Sequence, residues 1–243
     1  MNIAGAGALP GGVYDDSIHI SGSGKITGNA SCTDFHCSGA GRIEGDLMCQ
    51  NEFHCSGSCK VMGALLAASV SASGSLACDS TVTVKGQLKV SGSFHAGGTV
   101  VAGEFRSSGA STTDGDISAD LIKASGKIVC RGLMNGDTID IRFDGDSGAD
   151  CVGGSNIQIR RGDFSGGAIS GLFRKMFGKS DGNFTVTGSI EGDEIYLENV
   201  SAETVTGRVV TIGPGCNIGK VFYNETADIS TDAVVGDSEQ LFN

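Results

Sequence analysis

Residues 35–57 read FHCSGAGRIEGDLMCQNEFHCSG, so the pentapeptide Phe35-His36-Cys37-Ser38-Gly39 returns intact as Phe53-His54-Cys55-Ser56-Gly57, 18 residues later. Its closing Ser-Gly pair recurs at Ser21-Gly22, Ser38-Gly39, Ser56-Gly57, Ser73-Gly74, Ser91-Gly92, Ser108-Gly109 and Ser125-Gly126, with spacings of 17, 18, 17, 18, 17 and 17. A second glycine follows six residues on in six of the seven copies, Ser80 being the exception. Self-similarity at a short fixed period marks a solenoid in which each repeat is one turn and equivalent residues stack.

Aligned on the repeat glycine, the residues fall into columns. Four places before it stand Ile18, Phe35, Phe53, Val70, Leu88, Phe105 and Ile122, and two places before it Ile20, Cys37, Cys55, Ala72, Val90, Ser107 and Ala124. Between them lie His19, His36, His54, Ser71, Lys89, Arg106 and Lys123. In, out, in is the period-2 pattern of a strand with one buried face. The pattern returns eight places past the glycine as Ala30, Leu47, Leu65, Val82, Val100, Ile117 and Met134, and ten places past it as Cys32, Cys49, Ala67, Val84, Ala102 and Ala119. A weaker third pair, such as Cys59 with Val61, Leu76 with Cys78 or Ile128 with Cys130, lies two and four places past it. Three short strands per turn, separated by Gly and Ser corners where the chain bends or backbones approach closely, predict an all-β fold. It is a three-sided parallel β-helix with about 17–18 residues per turn. Ten to twelve turns at the strand spacing of roughly 4.8 Å give a rod about 50–60 Å long.

The composition agrees. Of 243 residues 40 are Gly and only 2 are Pro, about 16% Gly against a usual 7% or so. Scarce Pro excludes a collagen helix, and Ile, Val and Leu spread along the chain exclude a disordered linker. The longest uncharged apolar stretch, around residues 61–72, is too short for a membrane-spanning helix. No basic start followed by an apolar core marks a signal peptide, so a soluble, cytoplasmic protein is expected. With 28 acids against 17 bases, a net charge of −11, nucleic acid is not expected as the partner, because phosphates call for a basic face.

Beyond Gly132 the spacing loosens, while strand pairs continue as Ile139 with Ile141, Ile157 with Ile159, Phe184 with Val186, Ile195 with Leu197, Val210 with Ile212 and Cys216 with Ile218. The reading divides the chain into an N-terminal lead-in or cap (1–17), the β-helix (18–225) with an insertion at 167–182, and a C-terminal tail or cap (226–243). In the insertion, Leu172, Phe173, Met176 and Phe177 follow helical spacing among Arg174, Lys175 and Lys179. This is a short basic amphipathic element and a candidate membrane or partner contact. The alternative is that its aromatics fold back over an open side of the solenoid.

Chemistry-bearing residues mostly fall into structural columns. Cys32 and Cys49 share one inward column and Cys37 and Cys55 another, as small buried hydrophobes do. An odd count of 9 Cys without a secretory signal speaks against a disulfide framework. The outward His19, His36 and His54 are placed to stack, His95 is isolated, and Asp144, Asp146 and Asp150 read as a solvated acidic corner. No nucleophile elbow or Walker lysine motif occurs. No catalytic, cofactor or metal site is expected. The rival classes are a β-helix enzyme, either an acyltransferase or a polysaccharide-modifying protein, and a monomeric binding rod.

The columns and Ser-Gly corners, from about Ile18 to Tyr223, resemble the bactofilins, bacterial polymer-forming cytoskeletal proteins built on a short-turn, right-handed β-helix. The segment EIYLENVSAETVTGRVVTIGPGCNIGKVFY (194–223), with its Gly213-Pro214-Gly215-Cys216 corner and closing Val221-Phe222-Tyr223, looks like the Firmicute branch of that family. The chain departs from the commonest form in its length, its lack of Pro-rich tails and its insertion. The resemblance implies end-to-end filaments formed without a nucleotide, scaffolding cell-shape, envelope or motility machinery. It implies a homopolymer in the cytoplasm, in contact with envelope or motility proteins or the inner face of the membrane. Each end of a β-helix exposes a turn of unpaired strand backbone. The candidate polymerisation contacts are therefore Ile18, Ile20 and Ile26 at one end and Val221, Phe222 and Tyr223 at the other.

Overall fold

In the computed structural model, which describes residues 1–162 and 182–241, each inward column of the repeat is a line of register partners on successive parallel strands. On the first side Ile18, Phe35, Phe53, Val70, Leu88, Phe105 and Ile122 pair in that order. The line continues through Ile139, Ile157, Ile195, Val210 and Ala227. The loosened spacing after Gly132 therefore hides no break in the column. One step, from Ile157 to Ile195, absorbs the inserted segment. The third side stacks Leu47, Leu65, Val82, Val100 and Ile117 in the same way. The second side stacks Ile26, Ile43, Val61 and Cys78. The result is a three-sided parallel β-helix of about 13 turns.

The chain ends supply turns that the sequence reading left outside the stack. The expected lead-in contains the strands Asn2–Ile3 and Ala6–Val13, which pair with Ile18–Ile20 and Ser23–Cys32. The expected tail contains Val234–Gln240, paired with Asn217–Ile229. Strands of both terminal segments, read from the sequence as a lead-in or cap (1–17) and a tail or cap (226–243), thus pair onto the stack. The insertion at 167–182 lies outside the described residues except for Gly182.

The core is a single file of apolar side chains, because three inward faces converge on one axis. Phe35 and Phe53, both fully buried, lie with ring centroids 5.1 Å apart and planes 4° from parallel, the offset stack that in-register strands impose on identical residues. The outward column alternates with it: in the strand Phe35–Cys37 both ends are buried and His36 between them is not. Three of the four buried polar side chains among the described residues fall on one turn, where the Ser107 and Ser111 hydroxyls share a 2.7 Å hydrogen bond and Thr113 Oγ1 has no partner among the described residues; the fourth, Ser147, accepts a hydrogen bond from Ile128 N at 3.2 Å.

The Ser-Gly corner owes its glycine to close approach. A Cβ on Gly39 would sit 2.0 Å from the carbonyl oxygen of Gly22, and one on Gly74 would sit 1.9 Å from that of Gly57. The same corner is held by backbone hydrogen bonds to the turn before, such as Ser73 N to Cys55 O at 2.9 Å and Ser75 N to Gly57 O at 2.8 Å. Of the seven repeat glycines only Gly126 has positive φ.

Gly74→Ala is expected to cost about 1–3 kcal/mol through overpacking. Gly5→Ala, whose Cβ meets nothing within 4 Å, should stay within about 0.5 kcal/mol. In the same urea-unfolding series Phe53→Ala should cost about 3–5 kcal/mol and its outward neighbour His54→Ala about 0.5 kcal/mol or less. Equal costs within either pair would mean that the register is wrong.

Candidate functional site

Among the described residues the first and last turns are covered on one side only, and they lie one turn further out than the sequence placed the ends of the stack. Ile18, Ile20 and Ile26 are fully buried, because the first turn covers them: Ile3 pairs with Ile20 and Leu9 with Ile26. At the other end Val221 is buried beneath Ser238, and Tyr223 pairs with Gln240. Phe222 points out of the third side between Thr206 and Glu239, with Lys220 Nζ 5.4 Å from its ring centroid. All six residues named as end contacts therefore belong to the body of the stack.

The residues at the real ends continue the same columns. On the first side the inward line that contains Ile20 starts at Ile3 and ends at Ile229. On the second side the line through Ile26 starts at Leu9 and ends with Ile218 beneath Val235. The partly buried apolar residues packed against the core are Leu9 and Tyr14 in the first turn and Tyr223, Ile229, Ala233 and Val235 in the last two. Everywhere between, the column positions are closed. Val13 and Val234 are 78% and 66% exposed. Among the described residues nothing lies over the outer edges of the strands Ala6–Val13 and Val234–Gln240. Their outward backbone groups and the exposed rim of the core form two flat, apolar-centred surfaces, suited to pairing with a further strand layer.

The sequence carried a signal for both ends. Ala4-Gly5 stands 17 residues before Ser21-Gly22, and the backbone oxygens of Ala4 and Gly5 lie 2.6 and 2.2 Å from where a Cβ on Gly22 would be. Ile229 and Val235 each follow a core residue, Ile212 and Ile218, by 17.

Other candidates resolve into structure. Eight of the nine thiols are buried, Cys151 is intermediate, and all are free. Cys32 and Cys49 are register partners with Sγ atoms 3.9 Å apart. Cys37 and Cys59 fill the space at Gly41, whose Cβ would lie 2.9 and 3.3 Å from their sulfurs. Burial pushes the Cys130 thiol up to about 11, and likewise raises Cys78 and Cys216, so these remain protonated, inert filler. Among the described residues no group of three or more His, Cys, Asp or Glu is placed to hold a metal ion. His19 and His36 stack at 4.8 Å and 7°, and His54 continues the row at 6.0 Å. His95 Nε2 lies 3.5 Å from Asp114, which also binds Arg131 at 2.9 Å. Asp144, Asp146 and Asp150 are exposed, and Asp150 accepts a hydrogen bond from the Thr187 hydroxyl at 3.3 Å. Leu172, Phe173, Arg174, Lys175, Met176, Phe177 and Lys179 lie outside the described residues.

No family profile and no solved structure matches the chain. A protein of Bacillus subtilis (strain 168), described as uncharacterized protein YhbF, is 31% identical over 111 residues, 45% of this chain and 42% of that protein. The match thus spans less than half of either.

The burial pattern makes thiol chemistry a direct check of the core. The native protein should react rapidly with a thiol reagent at about one site per chain, lost in Cys151→Ser, with the remaining eight thiols released only by denaturant. Rapid reaction at three or more sites would contradict the packed columns.

Proposed function

We propose that this protein is a structural scaffold that assembles end to end into filaments without a nucleotide. The observation that carries the reading is the confinement of half-covered apolar core residues, Leu9 and Tyr14 at one end and Ile229, Ala233 and Val235 at the other, to the terminal turns. Joining ends would bury these rims and pair the edges of the terminal strands, where both hydrophobic burial and backbone hydrogen bonding act together. About 13 turns at roughly 4.8 Å make each subunit about 60 Å long. The likeness of the repeat and of residues 194–223 to bactofilins supports the same reading, including a cytoplasmic scaffold for cell-shape, envelope or motility machinery.

The joint is acidic at its margin. Glu239, and Asp237 with its ion-pair partner Lys220 at 3.5 Å, flank one end, and Asp15 and Asp16 follow the first strand layer at the other. Screening by salt should therefore favour assembly, since exposed charges more than a Debye length of about 8 Å apart are largely screened at physiological ionic strength.

Leu9→Asp and Val235→Asp place an unpaired carboxylate in the rim, where desolvation costs several kcal/mol. Each should raise the concentration needed for assembly at least 100-fold, with little change in melting temperature, as read by sedimentation velocity and negative-stain microscopy. A single-end variant arrests at dimers if like ends meet and at monomers if unlike ends meet. Long polymers that persist in the folded double variant, or a wild-type protein that stays monomeric at high concentration and moderate salt, would contradict the proposal.

A further inference from the structure

The outward columns of the three sides differ in charge. On the second side Lys25, Arg42 and Lys60 are register partners, and on the first Lys89, Arg106 and Lys123. The third side carries no charge in its outward column over the same stretch of rod, where Ser31, Met48, Leu66, Thr83, Val101 and Ser118 follow one another on successive strands. Met48, Thr83 and Val101 are exposed and the other three half-buried. Away from the terminal turns, the exposed large apolar side chains among the described residues are Met48, Met62, Val101 and Leu133. All four belong to this side or to the corner that leads into it, since Leu133 immediately precedes the inward Met134 and Met62 stands three places before the inward Leu65. An exposed apolar patch with a polar rim marks an interaction surface.

Charge is confined to the margins of this face. Asp46 and Asp116 stand on the leading margin, and each accepts a 2.8 Å hydrogen bond from the next turn, Asp46 from Ala64 N and Asp116 from Leu133 N. Lys85 and Asp120 stand on the trailing margin. At the strand spacing and rise the face is about 24 Å long and about 10 Å wide, a footprint of about 250 Å². A stable complex buries roughly 800 Å² per partner, so a single such contact is weak.

We propose that this face pairs with the same face of a second copy, so that two rods lie back to back and antiparallel. Charge favours a copy as the occupant. At a net charge of −11 two copies repel where their acids meet, and a face with an uncharged, apolar centre avoids that repulsion. The margins decide the direction. With a two-fold axis between Leu66 and Thr83, Met48 of each copy packs on Val101 of the other, an isologous contact, and Asp46 and Asp116 meet Thr99 and Asn29 of the other copy. Parallel pairing in register would instead set Asp116 against Asp120 of the other copy twice, and like charges so placed oppose association. Because the footprint is small, strong pairing rests on the end-to-end reading: a filament presents the face about every 60 Å and adds avidity.

A benzophenone carried by a maleimide on the Met48→Cys/Cys151→Ser chain, irradiated after assembly, tests it. The covalent dimer, isolated and mapped by mass spectrometry, should carry its adduct near Val101 of the other copy. Adding Val101→Glu should lower the dimer yield at least about ten-fold, because a carboxylate held against an apolar surface has no partner. Ser71→Glu adds the same charge to the first side and should leave the yield unchanged. In negative stain, filaments of the Met48→Glu/Val101→Glu protein should run singly where those of the wild type run in pairs, with the melting temperature unchanged. The end-blocked Leu9→Asp/Val235→Asp variant keeps the face, so at high concentration it should give the same adduct in lower yield, and failure of the ends is read separately from failure of the face. Absence of a covalent dimer in both backgrounds, or a yield insensitive to Val101→Glu, would overturn the proposal. An adduct near position 48 of the other copy would overturn the antiparallel arrangement, and one within residues 163–181 would overturn the pairing in favour of that segment as the occupant.

Discussion

The structure depends on in-register hydrogen bonding between parallel strands of successive turns. A strand in this stack has no partner within its own turn, so its backbone donors and acceptors are satisfied only by the turn before and the turn after. Register then dictates the side chains: whatever occupies one inward place must pack on what occupies that place a turn away. Phe35 stacks on Phe53 and Cys32 on Cys49 for this reason. The Ser-Gly corner follows too, since the corner backbones of adjacent turns approach so closely that Gly39, Gly57 and Gly74 leave no space for a Cβ.

The same constraint cannot be met at the ends. Among the described residues an interior turn is covered on both sides, but the first and last turns are each covered on one. The half-covered apolar residues Leu9 and Val235, ends of one unbroken column, are the side-chain expression of that missing layer. Function in this reading comes from the fold's own incompleteness rather than from a pocket or a catalytic set. The flanks are a separate matter, because outward positions are free of the packing rule and can carry charge in rows. Lys89, Arg106 and Lys123 on the first side continue, through Ser71, the column of His19, His36 and His54.

Most of the fold was legible in the sequence because a solenoid repeats its packing problem every turn. Seven Ser-Gly corners and an in-out-in triplet before each one determine the period, the inward columns and the number of sides. The ends were less legible because they relax the rules that made the middle readable. Ala4-Gly5 replaces Ser-Gly in the first turn, and acidic residues from Glu225 to Glu239 dilute the apolar signal of Ile229 and Val235. Phe222 looked like an end residue because it is large and apolar. Register places it on the outward face with Lys220 over its ring.

The central claim is that turns of one subunit continue the stack of the next. Electron cryomicroscopy of the assembled protein tests it most directly. The account predicts filaments whose subunits lie lengthwise along the axis, with a layer spacing of roughly 4.8 Å running unbroken through the joint, and with Leu9, Ile229 or Val235 buried at every junction. Filaments built by side-by-side contact of the rods, with the terminal strands left exposed to solvent, would contradict it.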